Sequence, residues 1–229
     1  MTEKTFTEGS YEYKVAEDGS CVICGYLKGD GGALTIPRFL DGHPVKAIGE
    51  RAFSDCGSLT SVTIPDGVTF IGEYAFHYCE SLMRITIPGS VTAIGNAAFS
   101  GCGSLSSLTI PAGVKSVGAS AFSRCRGLSS VTIPAGVTAI GEWAFSRCRR
   151  LTSLTISDGV TAIGMGAFAG CDSLTSLTIP DSVTSIGDMA FVTCPRLTLV
   201  VSKGSFAEQY CVKNKLTFRY PEQQDGPGN

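Results

Sequence analysis

Ten cysteines and two histidines are the residues of this 229-residue chain best suited to metal, redox or nucleophilic chemistry. Seven of the cysteines, Cys56, Cys79, Cys102, Cys125, Cys148, Cys171 and Cys194, fall 23 residues apart. A zinc site needs about four ligands converging on one point, whereas one cysteine per repeat delivers its sulfurs in a line. Neighbouring Cα atoms about 4.8 Å apart would lie inside the disulfide window, but parallel Cβ vectors hold the Cβ atoms beyond the usual ~3.8 Å. Seven is also an odd number to pair. The favoured reading is a ladder of reduced, buried thiols acting as small hydrophobes; metal, disulfides and nucleophiles are the alternatives. The "CVIC" of Cys21 and Cys24 has redox spacing, but its alternation reads as a strand and no helical pattern follows it. Ordinary cap residues are favoured there over metal or redox chemistry. His43 lies in the turn "DGHPV" and His77 in the outward part of a repeat, neither at motif spacing from a Cys or Ser nucleophile. No phosphate loop, H-E-x-x-H or G-x-S-x-G occurs. The expectation is a non-enzymatic chain with no cofactor and no metal.

The elements that would position these residues follow from the period. Phe53, Phe76, Phe99, Phe122, Phe145, Phe168 and Phe191 keep the 23-residue step, as do Gly49, Gly72, Gly95, Gly118, Gly141, Gly164 and Gly187. Self-similarity at this length signals a solenoid whose repeats bury their apolar edges against one another. In "LTSVTIP", Val62 and Ile64 alternate with Ser61 and Thr63, the period of a strand with one wet face, and Pro65 ends it. "VTFIG" holds a second, shorter extended piece closed by Gly72, at a positive-φ corner or a close backbone approach. Ala75, Phe76 and Cys79, spaced by one and three residues, predict one tight helical turn per coil.

The unit "LTSVTIPDGVTFIGEYAFHYC" resembles the BspA-like (Treponema-type) class of leucine-rich repeats over roughly residues 34–201. The resemblance implies an α/β repeat solenoid: right-handed, with 23-residue coils, a parallel β-sheet, a short second strand and a short helical turn per coil. It implies an N-terminal capping hairpin over 1–33, a solenoid over 34–201 and a C-terminal cap over 202–220; composition makes 221–229 a disordered tail. Where other leucine-rich repeats place asparagine, this chain has Gly67, Ser90, Gly113, Gly136, Gly159 and Ser182, so no asparagine ladder is expected. Ser157 breaks the proline column.

Packing leaves the outward positions free, so they are the candidates for recognition. Arg124, Arg126, Arg147, Arg149 and Arg150 come from two adjacent coils, Arg147 over Arg124 and Arg149 over Arg126, with Asp172 one coil further on. Phe70, Tyr74, His77 and Tyr78 share a single coil, and Trp143 stands in the Tyr74 column. Arginine and aromatics are enriched at interaction hot spots; a solvated edge and packing against the N-terminal cap are the plainer readings. Threonine columns at Thr63, Thr86, Thr109, Thr132, Thr155 and Thr178, and at Thr69, Thr92, Thr138, Thr161 and Thr184, read as sheet-forming surface, with an ice- or glycan-binding array as a remote alternative.

A formal charge of −2 gives no case for nucleic acid or an anionic membrane, and no apolar run approaches a membrane span. The start, "MTEKTFTEGSYEYK", lacks the apolar stretch of a signal peptide. The expected function is a monomeric protein-binding scaffold, with a host extracellular protein or an acidic glycan as partner. The family resemblance implies a bacterial cell-surface or secreted adhesion protein; a cytoplasmic structural or interaction protein is the alternative.

Overall fold

Stacked coils of 23 residues run from the first half of the chain to residue 201 in the computed structural model, which describes residues 4–27 and 31–222. Each coil contributes two extended pieces and a turn. Two-residue strands, Phe70–Ile71, Ala93–Ile94, Ser116–Val117, Ala139–Ile140, Ala162–Ile163 and Ser185–Ile186, pair in parallel at constant register. The longer strands, Leu59–Thr63, Arg84–Thr86, Ser130–Ile133, Ser153–Ile156, Ser176–Thr178 and Thr198–Val200, also run parallel. Their ladder is interrupted twice, at the coil of Ser107, which keeps a single bridge to Ser130, and between Ser153–Ile156 and Ser176–Thr178. The short strands thus build the continuous sheet, the reverse of the weight their lengths suggest.

The N-terminal segment is a three-stranded antiparallel meander, Thr5–Glu8, Tyr11–Val15 and Cys21–Tyr26, whose last strand pairs in parallel with His43–Ile48. It therefore extends the short-strand sheet. Cys21 and Ile23 are fully buried there, and Cys24 is half-buried. At the other end, helix Phe206–Asn214 is capped by the Ser205 side chain, which accepts the Glu208 N–H. Strand Phe218–Arg219 then pairs with Thr198–Val200. Of the tail, only residues 221 and 222 are described; 223–229 lie outside the described residues, as do 1–3 and 28–30.

The tight turn expected in each coil is present, and its hydrogen bonding keeps it from extending into a helix. Tyr74, Phe76 and Tyr78 donate their N–H groups to the carbonyls of Asn96, Ala98 and Ser100 in the next coil. The intervening Ala75, His77 and Cys79 donate back to Gly72, Tyr74 and Phe76. A helix would spend every N–H along its own axis; here alternate groups knit neighbouring coils. The geometry requires left-handed backbone at two positions per coil. One column is Arg51, Tyr74, Ala97, Ser120, Trp143, Gly166 and Met189, at φ of 50° to 59°. The other is Asp55, Tyr78, Gly101, Arg124, Arg147, Gly170 and Thr193, at φ of 54° to 81°. Away from glycine such a residue costs roughly 1–2 kcal/mol. Among the described residues the only α-helix is Phe206–Asn214.

Gly72 has no positive φ; it is the close approach that demands glycine. A Cβ there would lie 2.7 Å from the Gly49 carbonyl carbon, and the contact recurs along the column. In place of an asparagine ladder, Ser90 accepts the Gly67 N–H at 3.1 Å and donates to the Val68 carbonyl at 2.7 Å. Ser182 does the same for Gly159 and Val160.

The core is a set of parallel stacks. The seven column phenylalanines overlap ring on ring at 5.0 Å to 5.8 Å, within 13° of parallel. Burying each contributes about 1.5–3 kcal/mol, and aromatic pairing about 0.5–1.5 more. Tyr26 closes the stack at one end, 5.1 Å from Phe53, and Tyr210 at the other, edge-on to Phe191.

Candidate functional site

The cysteine column is part of this packing. All ten cysteines are free thiols; five of the column are buried, while Cys56 and Cys194 at its ends are only half-buried, short of the uniform burial expected. Each from Cys79 onward points its Sγ at the phenylalanine carbonyl of the preceding coil, as Cys102 does to Phe76 at 3.1 Å and Cys148 to Phe122 at 3.3 Å. Burial pushes the Cys148 thiol up to about 12 and Cys125 well above its ordinary value, the opposite of an activated nucleophile. Among the described residues, no group of three or more His, Cys, Asp or Glu is placed to hold a metal.

The recognition candidates lie on the turn edge, which the left-handed columns define. Tyr74, His77 and Tyr78 form a connected cluster: His77 meets Tyr74 edge-on at 5.3 Å and Tyr78 at 4.3 Å. Arg51, missed in the sequence, lies over the Tyr74 ring at 5.1 Å; its signal was its place one coil before Tyr74 in the same column. Burial holds the His77 imidazole below its usual value; Arg51 and Arg124 act the same way and Asp55 opposes them. The aromatics that pack against the first coil are instead Tyr11 and Tyr26, on Phe53. Phe70 stands apart, exposed on the outer face of the short-strand sheet between Ala47 and Ala93.

The structure joins the aromatic and arginine clusters that the sequence kept separate. The Arg124 guanidinium donates to the Tyr78 hydroxyl at 2.9 Å, across two coils. Gly101 makes this possible: a Cβ there would sit 2.6 Å from the Tyr78 ring, so the ring lies over the glycine. Tyr78, Glu80, Arg124 and Arg126 line a notch of about 360 Å³ floored by Gly101, Gly103 and Ser104. Trp143 repeats the device over Gly166, where a Cβ would be 2.3 Å from its ring. It lines a second notch, of about 460 Å³, with Arg147, Arg149, Asp172 and Val192. Arg150 turns to a third depression beside Thr60 and Met83. The five arginine side chains thus line three depressions along this edge. Asp172 approaches Arg149 at 3.6 Å, with both side chains more than half exposed. Among the described residues Arg124, Arg126, Arg147 and Arg150 have no carboxylate within ion-pair distance.

The threonines of the short-strand side are engaged in the fold. Thr92, Thr161 and Thr184 donate their hydroxyls to the carbonyls of Thr69, Thr138 and Thr161, one coil back. No helix among the described residues is long and apolar enough to cross a membrane.

The sequence matches the family model described as BspA type Leucine rich repeat region over residues 42–149 and 94–217. Among solved structures, a leucine rich cell surface protein from Faecalibacterium prausnitzii is 37% identical over 88% of this chain and 55% of its own, with a TM-score of 0.78. A leucine-rich repeat protein from Bacteroides ovatus is 34% identical over 86% of this chain and 52% of its own, with a TM-score of 0.79. The chain thus spans about half the length of these two. The Leucine Rich Repeat protein of T. pallidum is 32% identical over 95% of this chain and 98% of its own, with a TM-score of 0.79. No curated protein matches the sequence.

Proposed function

Because the chain belongs to the BspA-type leucine-rich repeat family, we propose that it is a non-enzymatic protein-binding scaffold displayed at a bacterial cell surface or secreted, where it serves adhesion. The observation that carries this reading is the Tyr78–Arg124 pair, an aromatic and a guanidinium brought together on the outside of the stack, away from its core. The description of the F. prausnitzii neighbour as a cell surface protein supports the location. The test is twofold. Intact cells of the producing bacterium, treated with a membrane-impermeant biotin ester, should yield labelled protein, and the purified chain should retain extracellular proteins from a defined panel. A chain labelled only after lysis would remove the surface reading.

A second reading has one observation in its favour. Ten unpaired thiols suit a reducing compartment, so a cytoplasmic interaction protein is the alternative that the same labelling experiment decides.

A further inference from the structure

We propose that the turn edge, rather than the short-strand sheet face, is the recognition surface, and that it takes an acidic protein segment carrying aliphatic or aromatic side chains. This rests on the protein-binding reading above and specifies its site and partner chemistry.

The two left-handed columns exist because alternate N–H groups must reach the next coil: Tyr78 donates to Ser100, Arg124 to Ser146, Trp143 to Met165. That requirement falls on the backbone alone, and glycine meets it best. The chain does use glycine there, at Gly101, Gly166 and Gly170. Yet Arg51, Tyr74, Tyr78, Arg124, Trp143 and Arg147 hold six of the remaining positions. Their side chains leave the core and end exposed or half-buried. Large residues kept in strained backbone, with side chains outside the core, point to selection for what they touch. Glycine one coil later gives Tyr78 and Trp143 the space to lie flat. The threonines on the short-strand side, by contrast, are already bonded into the fold.

The partner's chemistry follows from the two notches. Arg124 with Arg126, and Arg147 with Arg149, offer guanidinium forks that take carboxylates bidentately. Beside the second pair stand Trp143 and Val192, the latter 41% exposed, which offer apolar contact. Glu80 and Asp172 share the same notches and would repel a uniformly sulfated polymer. Mixed charge with apolar anchors fits a polypeptide better than a polyanionic glycan.

The test uses the full chain and the double variant Arg124→Gly/Arg147→Gly, with Trp143→Gly as a second variant. Both are read by urea unfolding and by binding to an array of random 12-residue peptides, with heparin as a competing probe. The expected result is retention of peptides enriched in Asp and Glu together with aliphatic or aromatic residues, weakening with salt. Each variant should lose at least tenfold in binding while its urea midpoint stays the same or rises. A fall in midpoint would mean that these side chains serve the fold, and would overturn the proposal. Peptides retained equally by both variants, or enriched without acidic residues, would overturn the edge and leave protein binding standing. A parent that retains only heparin, or nothing, would overturn both readings.

Discussion

The thiol of Cys102 lies 3.1 Å from the carbonyl oxygen of Phe76 in the coil before it, an oxygen that already accepts the Cys79 N–H. The cysteine column therefore supplies the second donor to a turn carbonyl that would otherwise have one, while filling space as a small hydrophobe. A serine at these sites would find its acceptor in place. At Cys125, whose Sγ is 3.2 Å from the Phe99 carbonyl, serine keeps a donor on a shorter bond and buries a more polar group. We expect Cys125→Ser to cost about 1 kcal/mol and Cys125→Ala about 2, which loses both donor and volume. Urea unfolding decides it; equal costs would leave the hydrogen bond without a role.

Buried thiols also make stability depend on alkaline pH. Burial pushes Cys148 up to about 12 and Cys125 well above its ordinary 9.0, so the folded state holds protons that the unfolded state releases. A folded-state pKa above the unfolded one gives stability that is complete below about pH 9 and is lost as pH rises toward 12. The loss approaches about 1.4 kcal/mol per pH unit for each such thiol. Unfolding midpoints measured from pH 7 to 11 should be flat and then fall, and Cys125→Ala/Cys148→Ala should shallow the fall. An unchanged slope in that variant would contradict the burial.

The exact 23-residue step made the Phe53, Cys56 and Gly49 columns legible, because a stacked repeat puts equal residues in equal environments. The turn is legible from Ala75, Phe76 and Cys79, but its left-handed backbone is not, for a physical reason. Ala75, Phe76 and Cys79 are spaced as on a helix, and nothing in the types of Tyr74 or Tyr78 announces left-handed backbone. Interaction with the next coil imposes it. The site was half legible: columns give which residues stack, but not which way a long side chain leans. Arg124 reaches back to Tyr78 rather than forward to Arg147 because Gly101 leaves the gap, and that glycine was the available signal.

Gly118 tests the close approach between coils. A Cβ there would fall 2.6 Å from the Gly95 carbonyl carbon and 2.8 Å from the Asn96 nitrogen, both backbone atoms rather than the far end of a flexible side chain. Gly118→Ala should therefore destabilise by about 3 kcal/mol. Gly103, where an added Cβ meets only the Gly101 carbonyl at 3.9 Å, provides the control; Gly103→Ala should change stability by less than about 0.5 kcal/mol. Similar unfolding midpoints for the two variants would rule out steric contact as the reason for the column.

The ends of the stack carry the last prediction. A solenoid coil without a neighbour exposes the apolar edge that its neighbour would cover, together with a row of unpaired strand groups. Here Tyr26 covers Phe53 and the Cys21–Tyr26 strand pairs with His43–Ile48, while Tyr210 meets Phe191 and its hydroxyl donates to the Gly187 carbonyl at 3.0 Å. Deleting residues 1–33 removes the first cover altogether, leaving Phe53 and the free edge of His43–Ile48 open to a second molecule. The shortened chain should associate in a concentration-dependent way by light scattering. Tyr210→Ala keeps the backbone of the C-terminal cover and should cost about 3 kcal/mol without association. A shortened chain that stays monomeric with an unchanged unfolding midpoint would show that the meander is an appendage to the stack and not its cap.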